Sequence, residues 1–254
     1  MSTPFVHPTK GPLHLGRPRV SPRNRRTMAK AFALHDFLAA LPAAPAAFDN
    51  SSGITDWGMM DNDQLGDCTC AACGHLIQTW TAASGAEVTV PDTAVLTEYE
   101  QACGYVPGNP ATDQGGVISA VLDYFRDTGV GGHRISAHAE VNLTQLRVQQ
   151  AIYAFGAMDI GVQLPVSAQD QVGTLWDFAS PTPDAPGGWG GHSVAVVKYD
   201  ATGLWCVTWG ALQKMTWRWF MYYVDEGHAA ISPDYDKSPV PTDQLVADLL
   251  ALNT

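Results

Sequence analysis

The spacing of apolar residues changes partway along the chain, and that change limits the folds open to it. Up to Phe155 the spacing is helical. Cys68–Ala83 contains no proline, has Asp67 where an N-cap belongs, and is stopped by Gly85. Ile118, Val121, Leu122 and Phe125 fall on one face of a helix over residues 116–128 that Gly129 ends, and shorter helices fit residues 93–103 and 146–155. From Ala157 onward apolar runs of strand length take over, over residues 157–164, 192–199, 203–209 and 229–232. The middle two are joined by an Asp-Ala-Thr-Gly turn and read as a hairpin. Only the aromatic stretch 216–224 returns to a helical pattern. This order predicts an α+β fold, a helical N-terminal lobe packed on a β-rich C-terminal lobe.

A chain of 254 residues suits one large domain or two lobes sharing a core, and 46% apolar against 15% charged residues excludes wholesale disorder. The net charge of -11 is unevenly spread. Lys10, Arg17, Arg19, Arg23, Arg25, Arg26 and Lys30 are half of the 14 cationic side chains, and no acid precedes Asp36. The acidic body is therefore a poor partner for nucleic acid, whereas the basic arm, residues 1–30, could meet nucleic acid, a neighbouring subunit or an assembly partner. Proline and arginine without a period predict an extended arm, followed by a short helix over residues 31–41 and a Pro/Ala linker, with the ordered core beginning at Trp57. The expected division is an arm, helix and linker over residues 1–56, a helical lobe over 57–140 and a β-rich lobe over 141–254.

Residues 28–48 resemble the apolar core of a signal peptide, but His35, Asp36 and Pro42 interrupt them, and no uncharged stretch is long enough to span a membrane. Five cysteines, three of them within six positions, argue against a secreted disulfide framework. The expectation is a reducing setting, cytoplasmic or virion-associated, with no membrane partner.

The cysteine cluster NDQLGDCTCAACGH, residues 62–75, allows three readings. A metal site would need Cys68, Cys70, Cys73 and His75 to converge, but on a helix Cys68 and His75 point within about 20° of each other while Cys70 and Cys73 lie well round the axis. No second cysteine pair exists, so no metal is expected. Cys70 and Cys73 read as core. Cys68 differs because it sits in the first helical turn after Gly66, where free N–H groups and the dipole favour a thiolate, with Asp67 opposing them. Among eight histidines, His192 stands out at the start of an apolar strand behind the glycine-rich run Gly188-Trp189-Gly190-Gly191, placed to reach across a cleft. Trp217, Trp219, Phe220, Tyr222 and Tyr223 read as core between lobes.

These stretches resemble the papain-like cysteine peptidase superfamily. DQLGDCTCAA is similar to its turn into the nucleophile, GGHSVAVVKYD to its catalytic-histidine strand, VTWGALQ to its Asn-Ser-Trp-Gly segment, and NLTQLRVQQAIYAFGAMDIGVQL to the helix and strand before the histidine loop. The separation of Cys68 from His192 is close to the family's roughly 130 to 150 residues. A looser likeness is to uncharacterised phage and bacterial proteins of this type. The resemblance implies a site in the cleft between the lobes, Cys68 as nucleophile, His192 as base, a peptide or protein substrate and no cofactor. It places the family's oxyanion amide on Asn62, with Gln64 the nearer glutamine. It places the orienting asparagine on Val207, which cannot serve, leaving Thr208 as the alternative. Gly66, Trp189 and Trp209 would flank the substrate, with the Pro/Gly-rich loop 180–191 beside them. Three functions fit: a thiol hydrolase cleaving an amide bond, a catalytically degenerate module with a binding or structural role such as a phage particle component, and a peptidoglycan amidase.

Overall fold

The computed structural model describes residues 4–18, 20–41 and 43–253, so Arg19 and Pro42 lie outside the described residues. In chain order, a small hairpin of β1 (Phe5–His7) and β2 (Gly11–Leu13) leads to helix α1 (Arg25–Ala40) and the short strand β3 (Phe48–Asp49). Three helices follow, α2 (Cys68–Ala83), α3 (Asp92–Cys103) and α4 (Ile118–Asp127), then β4 (Ala137–Glu140), α5 (Gln145–Phe155) and β5 (Met158–Leu164). The remainder is β6 (Leu175–Trp176), β7 (Gly190–Tyr199), β8 (Gly203–Thr208), β9 (Ala211–Thr216), α6 (Trp217–Tyr223), β10 (Val224–Ile231) and α7 (Asp243–Ala251). The architecture is α+β, as the change in apolar spacing predicts.

Eight strands form one sheet in the order β4-β10-β5-β7-β8-β9-β6, with β3 added beside β7. Both faces of its middle are covered, and β7 shows how. Val194 and Val196 enter a core shared with α1, α5 and the stacked pair Trp176 and Trp219. Ala195 and Val197 enter a second core with Leu76, Ile77 and Trp80 of α2 and Phe125 of α4. Strand alternation thus joins the two lobes through one central strand. Cys70 and Cys73 are fully buried, and the aromatic cluster is core except for Tyr222, which is 48% exposed.

The N-terminal segment departs from its expectation. It is packed against the body rather than extended, and the ordered core begins well before Trp57. Helix α1 starts at Arg25 because Asn24 caps it: the Asn24 carboxamide oxygen accepts from the backbone N–H of Arg26 and Thr27 while Thr27 Oγ1 accepts from the Asn24 N–H. Its Leu34 and Leu38 are buried, each worth about 1.5 to 3 kcal/mol by area removed from water, and this anchors the helix. Two of the arm's cations are paired with the chain's own acids and a third is buried. Arg17 pairs with Asp225 and Glu226, Arg23 pairs with Glu140, and Lys30 is buried. No helix among the described residues is long and apolar enough to cross a membrane.

Candidate active site

Two chain segments meet at the seam between the lobes. Helix α2 brings Cys68 in its first turn, and β7 brings His192. The Cys68 Sγ accepts a hydrogen bond from the backbone N–H of Ser193, the residue that follows His192. Both residues are 1% exposed.

The imidazole is fixed on two sides. Its Nε2 lies 2.7 Å from Thr208 Oγ1. On β8, Val207 enters the core beneath α2, and alternation turns the next residue, Thr208, to the opposite side. Of the two, it is the Thr208 hydroxyl that meets the imidazole. The ring also lies on Trp209, with centroids 4.5 Å apart and planes at 15°, and Trp209 stacks in turn on Trp189 at 5.4 Å. Trp209 reaches this position because the β8–β9 hairpin closes on Trp209 and Gly210, with φ of 46° and 68°, and left-handed geometry suits such a two-residue turn. For tryptophan that conformation costs about 1 to 2 kcal/mol, a strain borne where the indole covers the imidazole. The His192 Nδ1 is buried with no hydrogen-bond partner.

The oxyanion candidates separate. Asn62 is buried, and its Nδ2 donates to Leu65 O and Asp67 Oδ1, both at 3.1 Å, within the turn that delivers Cys68. Gln64 is exposed. Gly66 is buried, its N–H donating to Asp113 Oδ1 at 3.0 Å. Asp67 occupies the N-cap position of α2 without capping through its side chain. Its Oδ2 has no partner, and burial pushes its carboxyl well above the usual carboxylate range, so in this state it opposes a thiolate less than an ionised neighbour would.

The expected acidified thiol is not what this state holds. Burial pushes Cys68 up to about 12, against the lowering effect of the Ser193 and Gly16 N–H groups. Burial, followed by the positive charge of Arg17, pushes His192 down to about 3. Thiol and imidazole are both neutral in this state. The cause is visible in the cleft, which is filled by the chain's own residues 14–17. The His14 N–H donates to Asn62 O at 3.3 Å and the Trp209 Nε1–H to His14 O at 3.2 Å. The Gly116 N–H donates to Gly16 O at 2.7 Å, the Arg17 N–H to Gly191 O at 3.2 Å, and the Gly16 N–H to Cys68 Sγ. Asn62 and Gly116 belong to the helical side, Trp209 and Gly191 to the sheet side. This stretch of backbone is thereby held by both lobes across the sulfur.

Sequence reasoning missed this occupant, along with Gly116, Ser193, Asp225 and Glu226. A signal was available in the glycines. A Cβ on Gly16 would overlap the Gly66 carbonyl, and one on Gly191 would overlap the Arg17 carbonyl, so only glycine admits the two backbones this closely. Among the described residues no group of three or more His, Cys, Asp or Glu side chains is placed to hold a metal ion.

The fold is that of the papain-like cysteine proteases. Xylellain, a cysteine protease from Xylella fastidiosa, is similar over 91% of this chain and 98% of its own, with a TM-score of 0.61 at 13% identity. Procathepsin B S9 from Trypanosoma congolense matches over 87% of this chain and 86% of its own, with a TM-score of 0.54 at 11% identity. The ragweed pollen cysteine protease Amb a 11 in its proform matches over 77% of this chain and 67% of its own, with a TM-score of 0.56 at 13% identity. No protein-family model matches the sequence, and no curated protein matches it.

Proposed function

We propose that the chain is a papain-like thiol hydrolase that cleaves an amide bond, in the first instance a peptide bond, and that residues 14–17 hold it dormant. The observation that carries this reading is the constellation at the seam: Cys68 at a helix start, a neighbouring strand delivering His192, and Thr208 at 2.7 Å fixing the imidazole. With Nε2–H donating to Thr208 Oγ1, Nδ1 is left as a free acceptor, the form a general base needs. In the working state Nδ1 takes the Cys68 proton as Sγ attacks the carbonyl carbon. The oxyanion is met by the Cys68 N–H and the Asn62 amide, once that amide releases one of its present acceptors. The same nitrogen then protonates the leaving amine, and water hydrolyses the thioester. Trp209 and Trp189 shield the imidazole, and Gly66 lies beside the peptide track.

Residues 57–140 and 141–254 act as the two halves of the cleft. The occupying segment supports the dormancy reading by its chemistry. It offers the sulfur an amide N–H, which hydrogen-bonds the sulfur but gives it nothing to attack. Two of the structural neighbours are described as proenzyme forms, which fits a cleft closed by its own chain. Arm cations paired within the chain leave less of the arm for nucleic acid or an assembly partner.

The test is to free the cleft by Gly16→Ala and incubate the full chain with a proteome-derived peptide library, reading new termini by mass spectrometry. Cleavage that disappears with Cys68→Ala supports the proposal. Cleavage of peptidoglycan stem peptides alone would assign the amidase reading. No cleavage together with an inert Cys68 would assign a binding or structural role, as in a phage particle.

A further inference from the structure

The side chain of Arg17 is fully buried. Its guanidinium Nη2 donates to Glu226 Oε2 at 3.1 Å and to Asp225 Oδ1. Two consecutive strand residues ordinarily face opposite ways. Here the β10–β5 register shifts between Val224 and Glu226, and that irregularity lets both carboxylates reach one guanidinium.

The body of the protein holds these carboxylates in place. Gln163 Nε2 donates to the other oxygen of Asp225 at 2.9 Å, and His228 Nε2 lies 2.8 Å from the other oxygen of Glu226. Asp225 therefore keeps one oxygen for a guest, whereas Glu226 Oε2 is shared, accepting also from the Ser21 backbone N–H at 3.0 Å and pointing a second lone pair at the guest. Gly161 forms the floor, where a Cβ would stand 2.6 Å from Arg17 Nη2, so the missing side chain makes room for a flat cation. Arg17 Nε and Nη1 are buried without partners, which makes the present occupant an imperfect one, open to displacement.

The pocket also stands in register with the chemistry. Gly16, the residue before Arg17, donates its N–H to Cys68 Sγ, and the Arg17 N–H donates to the carbonyl of Gly191, the residue before His192. A peptide lying in the cleft thus presents a side chain to these carboxylates within one residue of the sulfur. We propose that the pocket formed by Gly161, Gln163, Asp225 and Glu226 is an arginine-selecting subsite, for which Arg17 is the built-in stand-in. This rests on the reading of Cys68 as nucleophile only for its catalytic consequence; the binding preference stands independently. Two carboxylates around a planar slot favour the forked guanidinium over a lysine ammonium.

The test uses the full chain carrying Arg17→Ala, with the wild type alongside, where the guest must displace Arg17. Dipeptidyl acyloxymethyl ketones bearing arginine, lysine or the uncharged isostere citrulline at either residue before the warhead are compared by the rate of Cys68 modification. Calorimetry with N-acetylarginine amide and N-acetylcitrulline amide supplies a readout that needs no reaction. The expected result is an arginine preference of about tenfold or more over citrulline in both measurements, falling toward unity when Glu226→Gln is added. A reactive Cys68 with equal rates and equal affinities for arginine and citrulline overturns the subsite and leaves the hydrolase reading standing. Selective binding of the arginine amide to a chain whose Cys68 is inert supports the subsite and sinks the hydrolase reading.

Discussion

Replacing Gly16 by alanine should open the cleft without altering any residue of the body. The added Cβ would fall inside the Gly66 carbonyl, a backbone group in the buried turn before Cys68, so no rotamer can relieve the overlap and residues 14–17 must lift away. Besides the Arg17 ion pairs with Asp225 and Glu226, the segment is held by four hydrogen bonds to backbone atoms, His14 to Asn62, Trp209 to His14, Gly116 to Gly16 and Arg17 to Gly191. At about 1 kcal/mol each they hold it closed by roughly 4 kcal/mol, about 10³-fold at 1.4 kcal/mol per decade, and even at about 0.5 kcal/mol each the factor is about 30. Alkylation of Cys68 by iodoacetamide, followed by intact mass and peptide mapping, reports the open fraction. Gly16→Ala should accelerate it by about 10³-fold, and by at least about 30-fold, with Cys70 and Cys73 unchanged. Regained water should also lower the thiol from about 12 toward its ordinary value near 8.5, moving the pH profile of labelling downward. A folded Gly16→Ala chain whose Cys68 labels within about threefold of the wild-type rate would refute the idea that this segment gates the site.

Three further outcomes follow from the same geometry. Thr208→Val removes the partner of a buried imidazole nitrogen and should cost about 1 to 3 kcal/mol in urea denaturation and slow Cys68 modification in the opened chain, whereas Thr208→Ser should restore the rate. Gly161→Val fills the space of the Arg17 guanidinium and should raise Cys68 labelling in the otherwise wild-type chain while abolishing binding of the arginine amide. Glu98 is buried with both carboxyl oxygens unpartnered, and burial holds its folded value well above the ordinary one. Its contribution to stability is therefore complete below the unfolded value near 4.3 and is lost as pH rises toward the folded value. Glu98→Gln should accordingly match the wild type near pH 4 and gain on it by about 1.4 kcal/mol per pH unit above that, read by denaturant melts across pH.

The sequence made the body legible and the arm illegible, for different physical reasons. Helix α2 and the hairpin of β7 and β8 show in periodicity and turn chemistry, because local pattern and final burial agree there. The contact of Thr208 with His192 was open to sequence reading because Thr208 is the one neighbour of Val207 in the chain with a hydroxyl. Arg17 could not, because a cation within a basic run reads as solvated, and only the distant Asp225 and Glu226, brought together by a strand irregularity, give it a buried home. Helix α1 was foreshortened for a related reason. Arginine and proline masked the capping pair Asn24 and Thr27, and the buried face of Leu34 and Leu38 acquires meaning only against the sheet. The direction of the Cys68 and His192 shifts was likewise hidden, since helix position argues for a thiolate and only the occupied cleft supplies the burial that overrides it.

The central claim is that Cys68 and His192 form a working nucleophile and base once the cleft is free. The most direct measurement is the pH dependence of Cys68 alkylation in the full-length Gly16→Ala chain, with and without His192→Ala. The expected result is fast labelling at and below neutral pH that His192→Ala lowers at least about tenfold, shifting the inflection toward about 8.5. Identical profiles in the two chains, or a Cys68 no more reactive than Cys206, would contradict it.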